Sequence, residues 1–276
     1  MSKLKILACQ IEIGAVATAA QRDQHLQDVA QKIRTQLTLN PHDLVVLPEL
    51  SSIDYSRDSF GNLQEVAEPL DGPSFQIFSK LAQEFSVAIV YGMPRKEANH
   101  FHISQVAIDE NGELIGHFDK LHIAQYGASM EKEYFERGNH LFVFEVKGIK
   151  VAPIICYDIR IPELSRTLVV EHDVQLILHC GAYARDDSFY SWHHFSVSRA
   201  IENQVFFLSL NRAGENYGNS IFCAPWVDEN APGVAFPQQD EMLQSLEIET
   251  DQIQDIRRKY TFLADRFESY SALGLK

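Results

Sequence analysis

Short hydrophobic runs alternate along the chain with longer segments in which apolar residues recur every three or four positions. Runs of four to eight apolar and β-branched residues are typical of strands, and the longer amphipathic segments are typical of helices. The pattern predicts strands at residues 5–11, 44–47, 87–91, 102–108, 113–117, 141–146, 150–155, 174–179, 205–210 and 220–223. It predicts helices at residues 20–37, 74–85, 162–171, 189–203 and 251–260.

This interleaving of strands and helices predicts an α/β fold. The predicted strands at 44–47, 150–155 and 174–179 are almost continuously apolar, which is typical of a sheet covered on both faces. Asn111-Gly112, between two predicted strands, indicates a hairpin with a type I′ turn, so some strands must be antiparallel. Since no repeat, low-complexity segment or linker divides the chain, we expect a single domain over residues 1–276.

The composition is that of an ordered globular protein, with 45% hydrophobic and 22% charged residues in 276. The formal net charge is −14, and no segment concentrates Lys or Arg, so nucleic acid is not an expected partner. The apolar stretch at the N-terminus is too short for a signal peptide, and no run approaches the length of a membrane span. We therefore expect a cytoplasmic protein that does not contact a membrane.

Three predicted strands are followed by residues whose side chains can take part in catalysis. Glu49 follows the strand at 44–47, Lys120 follows the return strand of the hairpin, and Cys156 ends the strand at 150–155. Each has an ordinary explanation by itself, as a solvated charge or a packed core thiol. Ligand crevices of α/β sheets lie beyond the carboxyl ends of strands, however. Together the three supply a nucleophile, a proton carrier and a cation for covalent acyl transfer.

A metal site is not indicated by the remaining cysteines and histidines. The four cysteines stand apart, with no C-x-x-C pair that would indicate zinc or a disulfide framework. His179 and Cys180, with His193 and His194, lack the spacing of metal ligands. We therefore expect neither a metal nor another cofactor.

The order of these residues resembles the nitrilase, or carbon–nitrogen hydrolase, superfamily. The matching segments are Ala8-Cys9-Gln10, Leu47-Pro48-Glu49-Leu50, Asp119-Lys120-Leu121-His122, Cys156-Tyr157-Asp158-Ile159-Arg160-Ile161-Pro162-Glu163, Arg199-Ala200-Ile201-Glu202-Asn203, Asn211-Arg212 and Gly218-Asn219-Ser220. The resemblance covers nearly the whole chain and implies a four-layer αββα sandwich with a catalytic triad of Glu49, Lys120 and Cys156. The family's second glutamate, seven positions before a glycine, falls on Glu131, while Glu133 and Glu136 are expected to be solvated.

The resemblance also implies a mechanism. Cys156 attacks the substrate carbon, Glu49 carries the proton, and Lys120 and the backbone N–H of Tyr157 hold the oxyanion, so that a thioester forms and ammonia leaves. A free thiol is mostly protonated at neutral pH, and we expect Lys120 and a helix beginning near Pro162 to favour the thiolate.

The substrate pocket departs from the family pattern. Asp54, before Tyr55, replaces a usual glycine, and the loop after His179 lacks the proline that many relatives carry. Candidate substrate contacts are Tyr55, Asp54, Arg160, Tyr183 and Arg185.

The segment around Cys156 looks closest to the ω-amidase and deaminated-glutathione amidase branch, although Ile161 replaces the usual phenylalanine. That likeness implies an amidase acting on a small non-peptide amide. Hydrolysis of N-carbamoyl amides or of nitriles uses the same triad and stays open. A non-catalytic binding or scaffold relative and a redox-sensing cysteine protein are alternatives of other classes. Members of the family commonly form dimers or larger assemblies, so a homo-oligomer is expected.

Overall fold

Two six-stranded sheets form the framework of the computed structural model, which describes residues 2–271 and 273–274. The strands of the first sheet lie side by side in the order β12 (Met242–Glu249), β1 (Lys3–Gln10), β2 (Leu44–Val46), β3 (Ala88–Glu97), β4 (His100–Ile108) and β5 (Leu114–Asp119). The adjacent strands β1, β2 and β3 are parallel. Antiparallel pairs extend the sheet on both sides, with β12 next to β1 and with β4 and β5 beyond β3.

The second sheet has the same plan. Its strands lie in the order β11 (Val234–Ala235), β10 (Ile221–Cys223), β9 (Phe206–Asn211), β8 (Leu176–Gly181), β7 (Ile149–Ile155) and β6 (Phe144–Val146). Its parallel strands are β7, β8 and β9, and the pairs β6 with β7, β9 with β10 and β10 with β11 are antiparallel. In each sheet, the carboxyl ends of the parallel strands therefore lie along the same edge. The loops that follow these strands carry the candidate site residues.

The helices are α1 (Ala19–Leu39), α2 (Arg57–Gly61), α3 (Leu63–Val66), α4 (Pro73–Phe85), α5 (Pro162–Val170), α6 (Phe189–Asn203), α7 (Asp251–Lys259) and α8 (Phe262–Asp265). Thr18 and Gln21 form a capping box at the start of α1. Proline occupies the first turn of α4 and of α5, where its missing N–H costs nothing. Within the described residues, no helix combines the length and the apolar character needed to cross a bilayer.

Three hydrophobic layers separate the sheets and helices. Side chains of both sheets, including Ile6, Val46, Leu178 and Leu208, pack against one another in the centre. Helices α1 and α4 cover the outer face of the first sheet, where Val45 points. Helices α5 and α6 cover the outer face of the second sheet. The predicted αββα sandwich is thereby confirmed, because β2 is buried on both faces as its apolar run indicated.

The predicted elements are all present. The prediction missed the short elements α2, α3, α8 and β11, and three further details of it were wrong. Strand β3 continues to Glu97, six residues past its predicted end, and β12 was not predicted at all. The hairpin between β4 and β5 does not have a type I′ turn. Gly112 has a φ of +79°, but Asn111 does not have a positive φ. Asp109 organises the turn instead, because its Oδ1 accepts hydrogen bonds from two backbone N–H groups that follow it.

Candidate active site

The four residues predicted to be catalytic lie together at the carboxyl ends of strands from both sheets. Lys120 directly follows β5, Cys156 directly follows β7, and Glu49 lies three residues beyond β2. Glu131 begins a 3₁₀ turn that spans Glu131–Glu133. Each sheet therefore contributes to the site, the first with Glu49 and Lys120 and the second with Cys156.

Lys120 is fully buried between two buried carboxylates. Its Nζ donates to Oε1 of Glu49 at 2.8 Å and to Oε1 of Glu131 at 2.6 Å. Burial by itself lowers the pKa of Lys120, but the charges of Glu131 and Glu49 outweigh burial and hold this pKa well above its usual value. Lys120 is therefore a cation throughout the neutral range.

Glu131 accepts two further hydrogen bonds. The Tyr55 hydroxyl donates to its Oε1 at 2.8 Å, and the backbone N–H of Ala124 donates to its Oε2 at 2.9 Å. Burial raises the pKa of Glu131 and Lys120 opposes that effect, while the charge of Glu49 adds to it. Glu133 and Glu136, predicted to be solvated, are exposed at the surface. Tyr55 thus acts on Glu131, and its hydroxyl also lies 2.8 Å from Oγ of Ser129.

The Glu49 carboxylate is held from the second sheet. Its Oε2 accepts a hydrogen bond from the backbone N–H of Ala182, directly after β8, at 2.8 Å. The buried Arg212 side chain donates from Nη2 to the carbonyls of Glu49 and Leu50 at 3.0 and 3.1 Å. Leu50 has a φ of +48°, a conformation that a branched residue rarely adopts. These contacts fix the direction of the carboxylate.

Cys156 lies at a sharp turn between β7 and α5. It begins a 3₁₀ turn over Cys156–Arg160 and has a φ of +46°, in the left-handed region. Its carbonyl oxygen accepts hydrogen bonds from Nε2 of His179 at 2.9 Å and from the Tyr183 hydroxyl at 3.1 Å. A non-glycine residue in this conformation costs of the order of 1–3 kcal/mol, which the surrounding structure must offset.

Asp158 joins the cysteine turn to the loop that carries Lys120. Its Oδ2 accepts from the backbone N–H of Ile155 at 3.0 Å. Its Oδ1 accepts from the backbone N–H of His122 at 3.0 Å and lies 2.6 Å from Nδ1 of the same residue. Asp158 is fully buried. The Cys156 turn and the Lys120 loop therefore share one rigid support.

Lys120 favours the Cys156 thiolate, as expected, but other groups outweigh it. Burial and the charge of Glu49 raise the pKa of the Cys156 thiol well above its usual value, and Lys120 opposes them only in part. Helix α5 begins six residues later, at Pro162, after the 3₁₀ turn over Cys156–Arg160. The thiol retains its proton and needs a base.

A small cavity of about 40 Å³ opens onto the thiol. Four tyrosines line it, Tyr55, Tyr126, Tyr157 and Tyr183, together with small alanine and serine residues. Cys156 and the carboxylates of Glu131 and Asp186 also border it. This volume accommodates roughly three water-sized groups. The cavity therefore suits a compact molecule.

Arg160 lies behind one wall of the cavity. Its guanidinium packs against the rings of Tyr126 and Phe195, at 5.4 and 5.2 Å from their centroids. Its Nε and Nη2 are buried and have no hydrogen-bond partner among the residues that the structure describes. Arg160 as a whole is half-buried, and guanidinium donors without a partner favour an anionic group nearby.

Three predicted substrate contacts do not line the cavity: Arg160 lies behind its wall, and Asp54 and Arg185 have other partners. Asp54 turns towards the start of α1, where its Oδ1 accepts from the backbone N–H of Val16 at 2.7 Å. Arg185 is exposed and donates to the carbonyl of Tyr217 at 3.0 Å. Tyr183 does border the cavity, but its hydroxyl is committed to the carbonyl of Cys156. Sequence spacing did not reveal these competing hydrogen bonds.

Several supporting groups had no signal in the sequence. The backbone N–H groups of Ala124 and Ala182 hold the two carboxylates, and any residue except proline supplies such a donor. His179 was considered only as a metal ligand. In the described part of the chain, no group of three or more potential ligands is placed to hold a metal ion.

The four-layer sandwich of two sheets between helices is the fold that the resemblance to carbon–nitrogen hydrolases implies. The carbon–nitrogen hydrolase family model matches residues 5–258, and the chain belongs to this family. The resemblance inferred from the sequence is thereby confirmed.

Two relatives and one solved structure illustrate the similarity. Omega-amidase NIT3 of Saccharomyces cerevisiae is 28% identical over 98% of both chains. The 2-oxoglutaramate amidase of Bacillus subtilis is 34% identical over 67% of this chain and 71% of its own. The crystal structure of Saccharomyces cerevisiae Nit3, a member of branch 10 of the nitrilase superfamily, superposes with a TM-score of 0.82 and 25% identity, covering 99% of this chain and 97% of its own. The amidases among the relatives support hydrolysis of a carbon–nitrogen bond.

Proposed function

We propose that the protein is an amidase that hydrolyses a small non-peptide amide through a thioester on Cys156. The observation that carries this proposal is the buried Lys120 held between Glu49 and Glu131 next to the thiol. A binding module has no need of a buried cation between two carboxylates, since burying three charges carries a large desolvation cost. Acyl transfer uses each of these groups.

The first half of the reaction forms the thioester. Glu49 takes the thiol proton as the sulfur of Cys156 bonds to the amide carbon, and negative charge moves to the amide oxygen. The Lys120 ammonium and the Tyr157 backbone N–H stabilise that oxyanion. The carbon–nitrogen bond then breaks, and Glu49 returns the proton to the leaving nitrogen, so that ammonia departs.

The second half regenerates the thiol. Glu49 removes a proton from a water molecule, which attacks the thioester carbon, and the same oxyanion site stabilises the second tetrahedral intermediate. The carbon–sulfur bond breaks, and the sulfur recovers the proton from Glu49. The product acid gives its own proton to solvent and is released as a carboxylate. Every step uses side chains of this chain and water, so the reaction requires no cofactor. Glu131 stays bound to Lys120 and Tyr55 and holds the ammonium in place.

The proposed substrate is an ω-amide that carries a carboxylate at its other end, such as 2-oxoglutaramate. Two observations support it: the unpaired guanidinium donors of Arg160 behind the cavity wall, and the names of the two relatives. An anionic end near Arg160 places the amide end at Cys156. We expect Arg160→Gln to raise KM for amides that carry a carboxylate and to change kcat less, because the contact is the same in the ground and transition states.

Ammonia release from three panels of compounds tests the function. The panels are ω-amides, N-carbamoyl amides and nitriles, each assayed with the wild-type protein and with Cys156→Ala. Activity on ω-amides that is absent from Cys156→Ala supports the proposal. If only the carbamoyl compounds react, releasing carbon dioxide with ammonia, the protein is an N-carbamoyl amide hydrolase instead. If only the nitriles react, it is a nitrilase. No turnover in any panel refutes the proposed enzymatic function and favours a non-catalytic binding protein with the same fold.

A further inference from the structure

We propose that His179 and Tyr183 are positioning residues that hold the peptide between Cys156 and Tyr157 and so aim the Tyr157 N–H at the oxyanion. The inference deepens the proposed function and rests on it, because it concerns how one oxyanion donor is oriented. Both side chains donate to the same atom, the carbonyl oxygen of Cys156, at 2.9 and 3.1 Å. Neither residue touches the reacting atoms in this arrangement.

A chain of hydrogen bonds fixes the protonation of His179. The indole N–H of Trp192 donates to Oγ of Ser209 at 2.6 Å, and the same Oγ lies 2.6 Å from Nδ1 of His179. The carbonyl of Cys156 can only accept, so Nε2 of His179 must carry a hydrogen. Burial lowers the pKa of His179 to about 3, so the ring is neutral and its Nδ1 accepts from the Ser209 hydroxyl. The donor and the acceptor of every hydrogen bond in this series are therefore defined.

Tyr183 completes the arrangement from the other side of the carbonyl. Its ring stacks on Trp192, with centroids 4.9 Å apart and planes 6° from parallel. The ring is buried, which restricts the direction in which the hydroxyl points. A carbonyl oxygen has two lone pairs, and His179 and Tyr183 occupy both. Trp192 thus supports both donors, one through Ser209 and one by stacking.

The geometry of the peptide unit converts this restraint into an effect on catalysis. The carbonyl of Cys156 and the N–H of Tyr157 belong to one planar trans peptide, so they point in opposite directions. Tyr157 is the second residue of the 3₁₀ turn, where a backbone N–H has no acceptor within the turn. Fixing the carbonyl therefore fixes the direction of a free N–H. Donors on the oxygen also polarise the peptide and strengthen that N–H as a donor.

The same contacts offset the strain at Cys156. Its φ of +46° is unfavourable for a residue with a side chain, and two hydrogen bonds to its own carbonyl oppose rotation of the following peptide. His179 is not a general base here, because both ring nitrogens are occupied. A role in orientation accounts for its buried position directly behind the nucleophile.

Three variants separate the contacts. His179→Asn retains an acceptor for Ser209 but is too short to reach the carbonyl of Cys156. His179→Gln places an amide N–H close to the position of Nε2 and restores that bond. Tyr183→Phe removes only the hydroxyl, so it is informative even if the His179 variants fold poorly. His193→Asn is the matched control, since His193 also bonds through Nε2 to a backbone carbonyl, that of Asn219 at 2.6 Å, on the far side of Trp192.

Each variant is measured in three ways. The first is kcat on the amide identified by the ammonia assay. The second is the dissociation constant of propionaldehyde, whose carbonyl carbon bonds to the sulfur while the thiol proton passes to the new alkoxide oxygen. That oxygen occupies the oxyanion position, so the adduct reports on its donors. The third is the rate of alkylation by iodoacetamide, in which a carbon–sulfur bond replaces carbon–iodine and no oxyanion forms.

We expect His179→Asn and Tyr183→Phe to lower kcat by about tenfold or more, short of the roughly 10²–10³-fold that follows loss of a whole oxyanion donor. The propionaldehyde dissociation constant should rise by a similar factor while the alkylation rate stays unchanged. His179→Gln should recover part of the loss. Two results overturn the proposal. The first is an alkylation rate that falls together with kcat, since the thiol itself has then moved. The second is an unchanged kcat together with an unchanged affinity for propionaldehyde.

These readouts also keep the two proposals distinct. If the wild-type protein releases no ammonia from any amide, the proposed function fails. The positioning role of His179 and Tyr183 is then decided by the aldehyde and alkylation measurements alone, which need no turnover.

Discussion

Replacing Lys120 with methionine removes the cation that separates two buried carboxylates. Glu49 and Glu131 each bond to the same Nζ, at 2.8 and 2.6 Å, so their bonded oxygens lie no more than the sum of these lengths apart. At about 5 Å and an effective dielectric constant of about 20, two like charges repel by about 3 kcal/mol. This agrees with the roughly 3–5 kcal/mol lost when one partner of a buried ion pair is removed.

The sign of the pH dependence follows from Glu131. Burial already raises its pKa, and loss of Lys120 raises that pKa further because an attractive charge is gone. The folded variant then binds a proton that the unfolded chain has released, so its stability falls as pH rises from the unfolded pKa, about 4.3, through the folded value. We expect Lys120→Met to have a lower free energy of unfolding than the wild type, and we expect this deficit to be about 3 kcal/mol larger at pH 8 than at pH 4.

Urea denaturation at the two pH values measures this difference. Lys132→Met, at an exposed lysine in the same segment, is the control and should show no such dependence. The double variant Lys120→Met/Glu131→Gln should recover stability at pH 8 without recovering activity. In the single variant, kcat and kcat/KM should fall together by about a hundredfold or more, as loss of a transition-state contact does. An equal deficit at both pH values refutes the electrostatic reasoning, and a rise in KM alone assigns Lys120 to substrate binding.

Two further predictions concern the neighbours of Lys120. Iodoacetamide at pH 7 should label Cys156 and abolish turnover, since the other three cysteines are buried; labelling elsewhere with activity retained in Cys156→Ala contradicts this. Tyr55→Phe removes a hydrogen bond to the charged Glu131 and should lower the free energy of unfolding by about 1.5–3 kcal/mol in urea titrations. An unchanged stability means that another donor takes the place of the hydroxyl.

Glu49, Lys120 and Cys156 could be singled out in the sequence because each follows a predicted strand. Lys120 and Cys156 directly follow β5 and β7, and strand ends at one edge of a sheet meet by geometry. Strand β12 escaped prediction because it is an edge strand with many exposed positions, and only Leu246 and Ile248 are buried in it. Its pairing with β1 also joins segments more than 200 residues apart, which no local pattern encodes.

The sequence was a poor guide to charge and to side-chain direction. The protonation of Cys156 depends on the balance of burial, Glu49 and Lys120, and that balance is set by distances rather than by residue type. Asp54 precedes Tyr55 in the chain, yet the hydrogen bond from Val16, 38 residues away, turns it from the cavity. Contacts of this kind arise only when distant segments pack.

The two strained residues of the site have a common explanation in the packing of the two sheets. Leu50 and Cys156 both adopt positive φ, one beyond a strand of the first sheet and one beyond a strand of the second. In both cases a buried side chain of the second sheet or its loops donates to the carbonyl of the strained residue. Arg212, after β9, donates to the carbonyl of Leu50, and His179, in β8, donates to that of Cys156. Strain of this size persists only where the surroundings impose it. Strands β8 and β9 therefore act as the rigid support that orients both Glu49 and Cys156. Substitutions in these strands should alter kcat without contacting the substrate.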